Sequence, residues 1–330
     1  MRHLVVGGGS IGKRHLKNLF LLGEKELFCY RRQYNKDFEE EYKCEIITSD
    51  EEVIKINPDA IYVCNPTSLH YQGFLLAIKT KSHIFMEKPL IHDELILEQM
   101  IQQWKRNRVF FIGFVLRYHP YLKVIKEKLE EGVIGGIFSA RFEFGSFLPN
   151  WHPGEKASVG YAGVKSLGGG VINTVTHELD LMMYLFGTPQ SVIAAKTNLD
   201  LLHIDVEELA EAIFRYPWGL ATLHLDFLQK DYNRNISLFG TEGKITWNWT
   251  DNKVAIRKHN QPPEILKLEI DSNQLYIDEL KDFLNLINSN KITHPLDFDC
   301  AVTNTRWMLS IHKSAEKETQ WEKSLTSSLI

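Results

Sequence analysis

Near the start of the chain an apolar run, Leu4-Val5-Val6, leads directly into Gly7-Gly8-Gly9-Ser10-Ile11-Gly12 and then Lys13-Arg14-His15. Gly7, Gly9 and Gly12 fit G-x-G-x-x-G, the spacing at which a buried strand turns sharply into a helix. Gly7 makes a turn that a side chain would obstruct, Gly9 lets backbone approach a pyrophosphate, and Gly12 lets helix and strand pack closely. The phosphate would sit over the first helical amides, at Ser10 and Ile11, where unpaired N–H groups and the helix dipole favour an anion. The same hexapeptide also serves as a plain tight turn, so the rest of the chain has to agree with it.

The 330 residues are 44% hydrophobic, enough for two domains with separate cores. Lys and Arg number 38 against 42 Asp and Glu, a net charge of −4. That balance argues against nucleic acid or an anionic membrane as the main partner. No apolar run reaches the length of a membrane span, and the first strand begins too early to leave room for a secretory leader, so a cytoplasmic location is expected. Cys29, Cys44, Cys64 and Cys300 lack C-x-x-C spacing. They read as small hydrophobes in a reducing compartment rather than as disulfides or a zinc site.

Residues 11–22 carry Leu16, Leu19 and Phe20 at helical spacing and stop at Gly23, and residues 26–30 read as a second strand. About 20 positions past the glycines, a dinucleotide fold that takes NAD places an acid for the ribose 2′-hydroxyl. Arg31 and Arg32 stand there instead. Arginine pairs with a 2′-phosphate through a charge-assisted fork, which points to NADP, with NAD the alternative if both arginines are simply solvated. Short apolar runs at 45–48, 60–64, 83–86 and 109–112 alternate with amphipathic segments such as 51–56 and 95–104, the pattern of a parallel sheet covered on both faces. Ligands bind outside the carboxyl ends of such strands. Three loops fall there: Asn65-Pro66-Thr67-Ser68-Leu69-His70, Glu87-Lys88-Pro89, and the stretch 113–120 with Arg117 and His119. Asn65, Pro66, Thr67, His70 and Glu87 are thereby candidate cofactor contacts. Lys88 would hold or relay a hydroxyl proton, because a lysine pKa falls on desolvation or beside a cation; alone, it would read as a surface lysine.

Residues 122–131 predict a helix and 137–144 a strand. The long irregular stretch 147–166 carries Trp151, His152, Pro153 and Tyr161, and reads as one wall of a ligand site, with Trp151 equally suited to a packing anchor. Gly168-Gly169-Gly170 precedes a stretch expected to run as one helix to Gly187, placing Asn173, His177 and Asp180 on one face. His177 is a candidate for proton handling, or a satisfied core histidine. Runs at 191–198, 206–216, 219–229, 233–239, 244–249, 254–259 and 265–270 predict a mostly antiparallel sheet. His203/Asp205/Glu207 and His224/Asp226 have conceivable metal spacing but fit a polar sheet face better, so no metal is expected. Residues 274–287 and 298–314 predict closing helices, and the tail after 318 a frayed end.

The glycine loop, the 65–70 loop, Glu87-Lys88-Pro89 and Gly168-Gly169-Gly170…His177-Glu178-Leu179-Asp180 occur in the order in which they occur in the Gfo/Idh/MocA family of NAD(P)-dependent sugar and polyol oxidoreductases, which the chain resembles over essentially its whole length. The resemblance implies an α/β protein: an N-terminal Rossmann doubly wound parallel sheet (1–118), then a substrate-binding α+β domain (119–330) with a large open sheet. That sheet would join subunits as a homodimer or homotetramer. The resemblance places Lys88 near the nicotinamide and the reacting carbinol, with Arg117 facing the substrate cleft. The family commonly has an Asp three or four residues before the His; here Asn173 and Thr174 stand there, and neither stabilises a positive imidazole as a carboxylate would. The implied activity is hydride transfer between the nicotinamide and a secondary alcohol or ketone of a sugar, sugar derivative or cyclitol, with Lys88 and His177 handling the proton. Lys88, Arg117, Trp151, Asn173, Thr174 and His177 would line the substrate. The alternatives are cofactor-assisted glycoside cleavage on the same fold and a non-catalytic NADP-binding regulator.

Overall fold

The strands of the first half are apolar on both faces because helices cover both. In this computed structural model, which describes residues 1–151, 154 and 156–317, they alternate as β1 (Arg2–Val6), α1 (Ser10–Leu21), β2 (Glu26–Tyr30), α2 (Lys36–Tyr42), β3 (Glu45–Ile47), α3 (Asp50–Ile56), β4 (Ala60–Val63), α4 (His70–Thr80), β5 (His83–Glu87), α5 (Glu94–Gln103) and β6 (Phe110–Gly113). All six strands are parallel, in the order β3-β2-β1-β4-β5-β6. β4 and β6 are buried along their whole length, as a doubly covered sheet requires. Side chains cap α2 (Asn35), α3 (Ser49, with Glu52 completing a capping box) and α5 (Asp93). The start of α1 is different: Gly9 caps it without a side chain, and its first turn holds no acid.

The second half continues with α6 (Pro120–Glu130), β7 (Ile137–Gly145), α7 (Val171–Thr174), α8 (His177–Phe186), β8 (Ser191–Thr197), β9 (Leu209–Tyr216), β10 (Gly219–Asp226), β11 (Asn233–Gly240), β12 (Gly243–Asn248), β13 (Lys253–Lys258), β14 (Glu264–Leu266), α9 (Ser272–Asn288) and α10 (Phe298–Glu316). Its eight strands run β14-β13-β12-β11-β7-β10-β9-β8, antiparallel except for β7 beside β10. In β9 the side chains of Ala210, Ala212, Phe214 and Tyr216 are buried and those between them face outward, the alternation of a sheet with one covered face.

Three expectations are corrected. Residues 171–187 do not form one helix: α7 ends at Thr174, Val175 leaves helical geometry (φ −108°, ψ 54°), and α8 starts afresh at His177. Residues 203–207 precede β9 rather than belonging to it; His203 has φ 53°, Asp205 accepts from the Lys165 amide, and Glu207 accepts from the Ile172 amide. The last strand stops at Leu266 instead of continuing to 270.

Two hydrophobic cores meet where Phe114 belongs to the first and Val115 to the second. The first core is not closed by the first half alone. From α9, Phe283 packs edge-on against Tyr62, Phe85 and Phe111 at 5.5, 5.5 and 5.8 Å between ring centres, joined by Leu280, Leu284 and Ile287. The segment expected as a separate unit, 119–330, therefore returns to seal the parallel sheet. Among the described residues no helix is long and apolar enough to cross a membrane. The expected frayed tail, and His152 and Pro153 of the long loop, lie outside the described residues.

Candidate active site

The glycine loop is built as its spacing demands. Gly7 has φ +104°, and a Cβ there would lie 2.9 Å from the Asn65 amide nitrogen; a Cβ on Gly12 would lie 2.0 Å from the Gly7 carbonyl. Over Gly9, by contrast, a Cβ would meet nothing within 4 Å. Gly9 and Ser10 are exposed and Ile11 half-buried, so the uncapped amides of α1 open to solvent at the carboxyl end of β1. This is a cradle for a phosphate, and a pyrophosphate-bearing dinucleotide fits it.

Arg31 follows β2 and lies beside the loop: its guanidinium carbon is 3.7 Å from the position of a Cβ on Gly8 and 4.4 Å from the centre of the Phe38 ring. Its Nη1 is buried without a hydrogen-bond partner among the described residues. Arg32 points into solvent. After β4, Asn65 donates through Nδ2 to the Leu69 carbonyl, while its Oδ1 is buried and has no partner among the described residues. Pro66 starts a short 3₁₀ turn and Thr67 is buried under Gly168. His70 departs from the expectation of a cofactor contact. It is buried, with Nδ1 at 3.2 Å from the Leu90 carbonyl and Nε2 at 3.0 Å from the Asn65 carbonyl, so it ties the 65–70 loop to the segment after Lys88.

Lys88 stands at the end of β5. Its neighbour Glu87 accepts a 2.7 Å hydrogen bond from His15 of α1, linking this loop to the glycine turn. The Lys88 ammonium donates to the Thr174 carbonyl at 2.6 Å. Burial lowers its pKa, and the carboxylates of Glu87 and Glu178 work in the opposite direction. His177 opens α8 with its Nδ1 buried and, among the described residues, unpartnered, and its ring 6.3 Å from that of Phe114. Burial first, and then the charges of Lys88 and Arg234, push its pKa well down, so the imidazole is neutral. Lys88, the Thr174 carbonyl and His177 are thus brought together. The phenol of Tyr161 is raised to about 12 by burial.

Three candidates are placed elsewhere. Arg117 does not face the cleft: Nε and Nη2 grip Asp180 at 2.9 and 2.6 Å, and the guanidinium also reaches the Pro295 carbonyl and Cys300 Sγ. Trp151 is an anchor, with Nε1 bonded to Ser146 and the ring packed edge-on against Phe144 and Phe227. Asn173 is buried and points away from His177. Lys196 donates to His312 Nδ1 (3.0 Å), so His312 carries its proton on Nε2 and donates to Asn173 Oδ1 (2.9 Å), while Asn173 Nδ2 donates to the carbonyls of Gly168 and Gly169. Asn173 therefore fixes the backbone turn from which the Thr174 carbonyl reaches Lys88. His119 is likewise packed in the core, stacked on Tyr121, edge-on to Trp247 and tilted against Trp249. Two residues were not anticipated: Glu178, and Arg234 of β11, whose Nε donates to Glu178 Oε1 at 2.6 Å. Among the described residues no group of three His, Cys, Asp or Glu could hold a metal ion.

Residues 1–114 match the model of an oxidoreductase family with an NAD-binding Rossmann fold, and residues 122–246 match the C-terminal domain of the same family. Myo-inositol 2-dehydrogenase of Thermotoga maritima is 25% identical over 314 residues, 88% of this chain and 89% of the relative. Levoglucosan dehydrogenase of Pseudarthrobacter phenanthrenivorans is 27% identical over 233 residues, 61% of this chain and 59% of the relative. A levoglucosan dehydrogenase structure in complex with NADH and levoglucosan shares the fold, with a TM-score of 0.85 at 20% identity over 97% of this chain and 98% of that one.

Proposed function

The chain belongs to the GFO/IDH/MocA oxidoreductase family, and we propose that it moves hydride between a nicotinamide cofactor and a secondary alcohol or ketone of a sugar, sugar derivative or cyclitol. The observation that carries this reading is the desolvated Lys88 at the carboxyl end of β5, beside a neutral His177 and within the same loop cluster as the open glycine cradle. The bound nicotinamide supplies the carbon that exchanges hydride. The uncapped amides of α1 at Ser10 and Ile11 hold its pyrophosphate, Asn65 offers its free Oδ1, and Glu87 fixes the Lys88 loop against α1. Lys88, oriented by the Thr174 carbonyl, sits against the reacting hydroxyl. In the oxidative direction the hydroxyl proton passes to the neutral imidazole of His177 while the Lys88 ammonium donates to the reacting oxygen, and in reduction the proton returns to that oxygen.

Arg31 supports NADP over NAD, since its buried, unpartnered Nη1 lies next to the glycine loop. The second sheet supports a homo-oligomer: Ile193, Ile213 and Leu220 are exposed on the face opposite the core. The four free thiols suit the reducing cytoplasm. Lys88→Ala tests the chemistry. It should retain nucleotide binding and lower turnover about 10²–10⁴-fold; turnover equal to that of the unsubstituted protein on a polyol panel would overturn the assignment.

A further inference from the structure

β11 buries Arg234, Ile236 and Leu238 and turns Asn233, Asn235 and Ser237 to the other face, so Arg234 is a charge at the end of an otherwise apolar row. Its guanidinium carbon lies 4.8, 5.6 and 5.9 Å from the ring centres of Phe144, Trp249 and Tyr232. Such a cation keeps its charge at every accessible pH, and burying it is costly unless its donors are used. Glu178 uses one. Nε donates to Oε1, while among the described residues Oε2 is buried with no partner and receives no second bond from the guanidinium. Arg117 and Asp180 show what a completed pair looks like in this protein, with two nitrogens on two oxygens. Its partner Glu178 directly follows His177 in the first turn of α8, which places Arg234 at the same cleft.

We propose that the substrate is a sugar bearing a carboxylate, and that Arg234 is the specificity-determining residue that receives this group while Lys88 and His177 face a hydroxyl of the same molecule. The proposal rests on the active-site reading above. A carboxylate is planar and monovalent. It matches the paired N–H edge of a guanidinium, of which Glu178 takes only Nε, and the surroundings of that guanidinium are aromatic. A phosphate dianion would set two negative charges near Glu178 where a carboxylate sets one, which disfavours it further.

The test is calorimetric titration of NADPH-loaded protein with D-glucuronate and D-galacturonate, each against its neutral parent sugar, and with D-glucose 6-phosphate. The ratio of acid to neutral affinity is read in the unsubstituted protein and in Arg234→Gln, Arg234→Lys and Glu178→Gln. A uronate should bind about ten- to a hundred-fold more tightly than its parent, as a charge-assisted hydrogen bond predicts. Arg234→Gln should bring the ratio near one, Arg234→Lys should leave an intermediate value, and Glu178→Gln should raise it by removing the competing carboxylate. A merely structural ion pair would make Glu178→Gln and Arg234→Gln alike. A ratio near one in the unsubstituted protein, a preference for the phosphate ester, or a ratio indifferent to these substitutions overturns the proposal. If Arg234→Gln is insoluble, the lysine and Glu178→Gln arms decide. Turnover is measured separately on the same sugars with NADP and NAD: selective uronate binding without turnover leaves this inference standing and overturns the hydride-transfer reading instead.

Discussion

Replacing Arg31 with Asp tests the adenosine end of the cofactor site with few assumptions. Arg31 lies over Phe38 beside Gly8, half-buried, with Nη1 lacking a partner among the described residues. One charge-assisted bond from that nitrogen to a 2′-phosphate contributes about 1.5–3 kcal/mol, which is roughly ten- to more than a hundred-fold in affinity. NADPH should therefore bind more tightly than NADH by about that margin, and the margin should shrink as salt is raised through the range where the Debye length falls from about 10 to about 3 Å. Arg31→Asp removes the donor, sets a carboxylate against the phosphate and offers an acceptor to a ribose hydroxyl, so the preference should reverse. Nicotinamide fluorescence titrations of both proteins with both reduced cofactors, at low and high salt, give the eight constants needed. Equal affinities in the unsubstituted protein, or NADPH still preferred after Arg31→Asp, would refute the reasoning.

Arg117→Ala should destabilise the protein by about 3–5 kcal/mol, because it strands the buried Asp180 carboxylate; urea denaturation measures this, and a large rise in sugar KM with unchanged stability would return Arg117 to the substrate cleft. His224, between Asp226 and Glu211, has its pKa raised to about 9, chiefly by the hydrogen bond to Asp226. A folded-state pKa above the unfolded one stabilises fully below about pH 6.5 and no longer does so above about pH 9. His224→Gln should therefore cost about 1–2 kcal/mol at pH 6 after solvent screening and almost nothing at pH 9.5; equal losses at both values would show the imidazole to be uncharged in the fold.

The parallel sheet was legible because its strands are short, apolar on both faces and separated by amphipathic segments, and both sheets stand where those runs lie. The glycine turn and the position of Lys88 at a strand end were legible because their signals are local, strand and turn being neighbours in sequence. The failures come from partners far away. Asn173, His177 and Asp180 suit one helical face, and neither glycine nor proline marks the break at Val175 and Thr176. What holds Asn173 is His312, 139 residues on, and what claims Arg117 is Asp180. Arg234 had a readable signal. In 233–239 it takes the alternating position shared with Ile236 and Leu238, and a charge on the apolar face of a strand calls for a buried partner.

The sealing of the parallel sheet by α9 imposes an order on biosynthesis. A nascent chain completes β6 while the surface around Tyr62, Phe85 and Phe111 is still uncovered, and Phe283 is polymerised about 170 residues later, roughly ten to thirty seconds at ordinary elongation rates of 5–20 residues per second. The cofactor-binding half therefore leaves the ribosome with a wet aromatic flank. A fragment ending at residue 118 keeps that flank permanently, so it should be recovered as a chaperone client or an aggregate rather than as a free nucleotide-binding module.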